Sequence, residues 1–295
     1  MARNRLWVLN FEADEELARG AGHQPSRAVL ARFATLEERV QTLLAPGDRI
    51  FRDDTDEPFD PDAFEGRAWS PTPSARRAWA RAGVSAPCVP AVETLRRVTS
   101  RRFAAELGQN LPGSAYVADA EHFARVIAGP SPTGDWLVKR AFGFAGRGRK
   151  LVRAGAVSET MRAWVAPSFA NGDGIQVEPF VTRDTDFGLH GYVDEHGVVT
   201  LGEITVQQVD ANGAWVATER ATRDALSDGE RAALIDAGTE GANALARAGY
   251  FGPFGIDAFR WIDADGTRRF NPRCEINARY SMGWTVGMGA KRPDL

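Results

Sequence analysis

The chain has 295 residues, 43% of them apolar and 25% charged, with a net charge of −3. These figures fit about two globular domains, exclude disorder, collagen and coiled coil as the main state, and give no overall basic field for nucleic acid. The sequence has no run of about 18 apolar residues, and the apolar stretch at 6–9 is too short for a secretory core, so the expectation is a cytoplasmic chain without a membrane span.

In chain order, a first segment (1–91) reads as strand 6–9, helix 25–44 opened by Pro25 and Ser26, strand 49–51, strand 68–70 and helix 74–82. A stretch carrying Glu12, Asp14, Glu15 and Glu16 reads as a loop, and Asp53, Asp54, Asp56 and Glu57 read as a second, solvated one. Strands alternating with helices predict an α/β, doubly wound parallel sheet. No G-x-G-x-x-G follows the first strand, which excludes a dinucleotide fingerprint. Pro87 and Pro90 bracket a linker.

The second segment (92–173) reads as helix 100–107, strand 114–117, helix 119–128 and strand 136–139. A glycine-rich stretch with Gly143, Gly146 and Gly148 follows, then strand 149–153 and a helix capped by Ser158. The third segment (174–295) reads as strands 175–181, 187–193 and 198–209, then a helix opened by the capping-box pattern Ser227-Asp228-Gly229-Glu230. A hairpin, 254–261 and 267–276, turns around Asp263-Ala264-Asp265-Gly266.

Of 36 basic residues only Lys139, Lys150 and Lys291 are lysine. In a chain that writes positive charge as arginine, a retained lysine marks a place where a compact ammonium suits the chemistry. Lys139 ends a strand, and the glycines after it let backbone N–H groups approach a phosphate. The absence of G-K-[ST] excludes a Walker A loop. In the hairpin, counting outward from the turn brings Asp257 opposite 272–273. Glu275 and Asn277, two apart, share a face of their strand, with Arg279 two further on. Two carboxylates and an amide are a donor set for Mg²⁺, and Arg279 could grip a phosphate or carboxylate. Cys88 and Cys274 cannot form a disulfide scaffold and read as reduced, mostly buried thiols. His190 on its strand, Gln207 or Gln208 on the next, and Glu12 at the C-terminal edge of the first sheet are candidates to meet nucleotide or substrate.

The combination resembles the ATP-grasp superfamily. The resemblance rests on Trp136-Leu137-Val138-Lys139 with the three glycines, on Val177-Glu178-Pro179-Phe180-Val181, on 252–259 and on 271–279, in the family's order, and it covers about 96–285. It implies a small pre-ATP-grasp domain followed by two ATP-grasp subdomains with ATP between them. It also implies a carboxylate–amine ligase acting through an acyl phosphate. Lys139 then looks like the lysine for the α- and β-phosphates, and Gly143, Gly146 and Gly148 like the loop over the triphosphate. Glu178 looks like the acid facing the adenine amino group, with Phe180 and Val181 as hinge backbone. Asp186, or Asp184, would hold the ribose. Asp257, Glu275 and Asn277 look like ligands of two Mg²⁺ ions, with Mn²⁺ an acceptable substitute, and Arg279 like the arginine for the reacting carboxylate. The family's early lysine slot holds Arg101 or Arg102. The partners implied are small-molecule or peptide carboxylates and amines, with a homodimer as the default assembly. Two rival classes share these motifs: a kinase with a hydroxyl acceptor, and a non-catalytic nucleotide-binding regulator.

Overall fold

The computed structural model describes residues 3–295 apart from 21, 26, 54–57, 109, 144–146 and 210–214. Gly146, Ser26, Asp54, Asp56 and Glu57 therefore lie outside the described residues. The first segment folds as β1 (Asn4–Val8), α1 (Ala13–Arg19), α2 (Arg27–Arg39), β2 (Arg49–Ile50), β3 (Phe64–Ala68) and α3 (Pro73–Ala82). The strands pair in parallel in the order β2-β1-β3. Alternation sends Leu6 and Trp7 to opposite faces of β1, and both are buried. Two buried faces need two covering layers. Phe33 and Leu36 of α2 pack on the Trp7 side, and Ala75 and Trp79 of α3 pack on the Leu6 side. This is the doubly wound arrangement the alternation of elements predicts.

Two local expectations change. The acidic stretch read as a loop is α1, which collects Asp14, Glu15 and Glu16 in its first turn, where the helix dipole favours them. Its acids are also put to use inside the fold. Glu16 is buried and accepts from the Ser74 amide at 2.7 Å and from the hydroxyls of Thr72 and Ser74, which caps the start of α3. The third strand lies at Phe64–Ala68 rather than 68–70. Gly66 makes the earlier pairing work: a Cβ there would sit 2.7 Å from the Trp79 ring.

The next elements are α4 (Val92–Thr99), α5 (Arg101–Glu106), β4 (Ala115–Val117), α6 (Ala120–Ala128), β5 (Asp135–Arg140), β6 (Arg149–Arg153), α7 (Glu159–Ala170) and β7 (Ile175–Pro179). Helix α4 is an addition to the expected list, and Ser100 both ends it and caps α5 through the Arg102 amide. The sheet order is β4-β7-β5-β6. Strand β7, placed by sequence at the head of the third segment, pairs with β5 and β4 instead, so the change of sheet falls between Pro179 and Thr182. Trp136, Val138, Ile175 and Val177 pack against α6 and α7. The alternate residues Leu137, Lys139, Gln176 and Glu178 therefore project from the other face.

The last elements are β8 (Thr182–Val193), β9 (Val199–Val209), β10 (Trp215–Arg220), α8 (Asp228–Arg247), β11 (Gly252–Ile262), β12 (Arg268–Asn277) and α9 (Trp284–Met288). They form an antiparallel sheet ordered β10-β9-β8-β11-β12. Leu234, Ala242 and Leu245 of α8 pack on Phe187, Leu189, Ile256 and Ile276. Trp284 and Met288 of α9, with Tyr280, join the cluster of Trp7, Phe11 and Trp69, so the first segment rests on the chain that leaves β12. Among the described residues no helix is long and apolar enough to cross a membrane.

The register of the last hairpin differs from the outward count. Phe259 pairs with Asn271, but Asp257 pairs with Glu275, so Ala258 faces the three residues 272–274. Pro272 has no N–H for the ladder, and the strand bulges there. The bulge turns Arg273 toward the helices with 0% of its side chain exposed. Its guanidinium donates to Glu240 at 2.8 Å and to the carbonyls of Ala237, Leu107 and Gly108. Arg273 thereby ties β12 to α8 and to the end of α5.

Replacing Arg273 with Leu leaves those buried carbonyls without donors. Unfolding free energy from urea titration should fall by about 3 kcal/mol. A loss below about 0.5 kcal/mol, the level of an ordinary surface change, would contradict this role.

Candidate functional site

The bare faces of the two antiparallel sheets confront each other. β5 and β7 contribute Lys139, Gln176 and Glu178, all buried. β8, β11 and β12 contribute Asp186, Asp257, Glu275 and Asn277, and β9 contributes Gln207. Arg101 bridges the two faces: its Nη2 lies 2.9 Å from Glu275 of β12 and its Nη1 donates at 2.7 Å to the Arg140 carbonyl of β5.

The charges in this cleft are joined in pairs. Lys139 Nζ contacts Glu178 Oε1. Arg183 Nη1 donates to Asp186 at 2.6 Å, with its guanidinium 4.1 Å from the centroid of the Phe259 ring. Arg101 Nη2 lies 2.9 Å from Glu275 Oε1. Arg279 holds both oxygens of Asp14 at 2.9 Å through Nε and Nη2. Among the described residues Asp257 pairs with no cation; it accepts from Gln207 at 3.0 Å and from Asn277 at 2.8 Å. Burial, with the Glu275 carboxylate beside it, pushes the Asp257 carboxyl up to about 6, against the pull of the two amides. Burial also acts to raise Glu275, but Arg101, Lys139, Arg279 and Arg183 outweigh it and hold its pKa below the usual value.

Among the described residues no three His, Cys, Asp or Glu side chains converge as a metal cage. The cluster is two adjacent carboxylates and one amide oxygen. That set suits a hard cation that keeps several of its waters, as Mg²⁺ does, and a divalent charge would relieve the crowding that raises Asp257.

The glycine loop begins beside this cluster. Arg101 Nη1 donates to the Arg140 carbonyl at 2.7 Å, and its backbone amide donates to Ala141 at 2.9 Å. A Cβ on Gly143 would sit 2.9 Å from that guanidinium. Gly148 has a φ of +75°, a left-handed conformation that favours glycine.

Several sequence expectations sharpen or move. Of the two arginines expected at the early cationic position, Arg101 meets Glu275 of the cluster, whereas Arg102 is exposed and pairs with Glu106. Asp186 faces the cluster, whereas Asp184 lies near Arg260 and Arg268. The Phe180 amide is already used by the Asp135 carbonyl, which leaves the Phe180 carbonyl and Val181 for hinge contacts. Gln208 turns away toward Glu219 at 3.3 Å, and it is Gln207 that reaches Asp257. His190 is buried against Gly188, Gly255, Gly283 and Gly287, and burial pushes its pKa down to about 4. Glu12 is buried with Oε2 unpartnered among the described residues. Burial chiefly, with Glu16 and Glu15 nearby, pushes it up to about 7 against its own backbone hydrogen bond. Arg279 is not free, since its fork is taken by Asp14. Cys88 is exposed rather than buried. Cys274, on the bulge, is pushed by burial up to about 12.

Sequence reading passed over two residues of the cleft, Arg183 and Gln176. Gln176 is buried, with its Oε1 unpartnered among the described residues. The signal was there: Gln176 and Glu178 alternate with Ile175 and Val177 along one strand.

No family model matches the sequence, and no curated protein matches it. Solved structures do match. A biotin carboxylase complex with β,γ-ATP from Campylobacter jejuni is 15% identical, covers 97% of this chain and 67% of its own, and has a TM-score of 0.57. D-alanyl-alanine synthetase A from Vibrio cholerae is 12% identical over 99% of this chain and 93% of its own, at a TM-score of 0.55. Pyruvate carboxylase from Rhizobium etli is 20% identical over 97% of this chain, at a TM-score of 0.55, and this chain spans 27% of that protein's length. The chain shares the fold of these enzymes over nearly its whole length.

The pKa of His190, lowered from 6.5 to about 4, makes a pH prediction. Between those values the unfolded chain takes up a proton that the folded imidazole refuses, so stability falls as pH drops through 6.5 and levels near 4. The unfolding free energy of wild type minus that of His190→Gln should drop by about 2 kcal/mol between pH 7.5 and 5. The difference cancels the opposite contributions of Glu12 and Asp257; a pH-independent difference would contradict the assignment.

Proposed function

We propose that this chain uses ATP and Mg²⁺ to join a carboxylate to an amine through an acyl phosphate. The observation that carries the reading is the confrontation of Lys139, Gln176 and Glu178 with Asp186, Asp257, Glu275 and Asn277, with Arg101 under the glycine loop and Arg279 beyond the cluster. The biotin carboxylase and the D-alanyl-alanine synthetase named above support the ligase class.

In this reading ATP lies between the two sheets. Lys139 and Arg101 face its phosphates, under a loop that carries Gly143, Gly146 and Gly148. Glu178 and the unpartnered Gln176 oxygen accept from the adenine amino group, beside the Phe180 carbonyl and Val181, and Asp186 takes the ribose hydroxyls. Asp257, Glu275 and Asn277 would hold Mg²⁺, and Mn²⁺ would satisfy the same oxygen donors. The metal supplies positive charge against the β- and γ-phosphate oxygens.

The substrate carboxylate attacks the γ-phosphorus and the bridging oxygen leaves with ADP. The amine then attacks the acyl carbon, phosphate leaves, and the nitrogen loses a proton. The protein's part in the first step is positioning and charge neutralisation. A closed loop keeps water from the acyl phosphate. Glu12, buried just beyond β1 with Oε2 unpartnered among the described residues, is matched to the ammonium of a substrate held on the first segment.

One observation favours a second reading. Arg279 already grips Asp14, so a hydroxyl acceptor, which needs no arginine fork, fits as well: a kinase on the same fold.

Hydroxylamine separates the two. With ATP, Mg²⁺ and a panel of carboxylates, ADP release should come with a hydroxamate; ADP release without one would favour the kinase. Glu275→Gln, close to isosteric, should lower turnover by about a hundredfold with an unchanged circular dichroism spectrum. Wild-type turnover in the folded variant would remove Glu275 from the metal set.

A further inference from the structure

Arg101 belongs at once to the metal cluster and to the phosphate loop. Its Nη2 lies 2.9 Å from Glu275 and its Nη1 donates at 2.7 Å to the Arg140 carbonyl, while its backbone amide holds Ala141 at the loop's first turn. The side chain is 12% exposed, and its Nε is buried without a partner among the described residues. Gly143 has no Cβ to push the guanidinium out of this place. Arg273 ties the far end of α5 to β12, the strand that carries Glu275.

A planar guanidinium explains the fit. Its five donors can hold a carboxylate and a carbonyl together, which an ammonium at the end of a flexible stem does less well. The same guanidinium occupies an oxygen of Glu275 that the metal needs, and Glu275 occupies donors that the phosphates need.

We propose that the Arg101–Glu275 ion pair is an exchange lock: metal at Glu275 releases Arg101 to the nucleotide phosphates, and phosphate at Arg101 releases Glu275 to the metal. The inference rests on the nucleotide reading above and adds to it a coupling between the two ligands that lies in the protein itself. By linkage the coupling is reciprocal, since each ligand is spared the work of opening the pair once the other has bound. Arg102, one residue on, could not do this, because it is exposed and paired with Glu106.

The lock predicts an inversion that a plain metal ligand does not. Without metal, Glu275 only restrains Arg101. In EDTA, Glu275→Gln should therefore bind a non-hydrolysable ATP analogue about tenfold more tightly than wild type. Asp257→Asn removes the same charge from the same cluster but touches no arginine, so its affinity should stay within about threefold of wild type. Calorimetric titration of the three proteins reads this directly. Equal tightening in both variants would reduce the effect to general electrostatics and overturn the lock, as would no tightening in Glu275→Gln.

A second measurement approaches from the other side. Mn²⁺ binding followed by electron paramagnetic resonance, with no nucleotide present, should tighten in Arg101→Met. Unchanged or weaker Mn²⁺ binding in that variant would overturn the lock. Wild type that takes up no analogue even with Mg²⁺ would overturn the nucleotide reading itself, and the lock with it.

Discussion

A proline in an antiparallel ladder cannot donate, and much of this site follows from that deficit at Pro272. The strand bulges, Ala258 faces three residues, and Asp257 comes to lie opposite Glu275. The same bulge buries Arg273, which reaches α8 and the carbonyls at the end of α5. One local irregularity thus sets the spacing of two carboxylates and anchors the helix whose first residue, Arg101, contacts one of them. Without the bulge the pairing would continue regularly, and Asp257 would face a different residue of β12.

The cleft built on this frame is crowded with charge yet internally balanced. Lys139, Arg183, Arg101 and Arg279 are matched to Glu178, Asp186, Glu275 and Asp14, and Asp257 is held by two amides. Burying charge is tolerable only when it is paired. A polyanion with a divalent cation brings its own opposite charges and can redistribute these pairs without stranding any of them. The Arg279–Asp14 pair also reaches from β12 into α1 of the first segment, so a change of partner at Arg279 would be felt where the substrate is proposed to sit.

Much of this was legible in the sequence because the signals were local. Short β-forming runs gave the strands that carry Lys139 and Glu178, the capping box gave the start of α8, and the retained lysine drew attention to position 139. What the sequence left unread was set by contacts between distant segments. The acids of α1 read as a loop, because nothing nearby announces that Glu16 caps α3 or that Asp14 meets Arg279. The choice between Arg101 and Arg102 needed the docking of α5, and the choice between Gln207 and Gln208 needed the phase of β9 against β8. The hairpin register failed at Pro272, where counting assumed a regular ladder.

The central claim is that the facing sheets hold ATP with a divalent cation, with Lys139 on its phosphates. The most direct measurement is calorimetric titration of a non-hydrolysable ATP analogue with and without Mg²⁺, on wild type and on Lys139→Gln, which keeps a donor for the buried Glu178. The account predicts binding by wild type that strengthens with Mg²⁺ and is lost or greatly weakened in the folded variant. No binding by wild type, or equal binding by the variant, would contradict it.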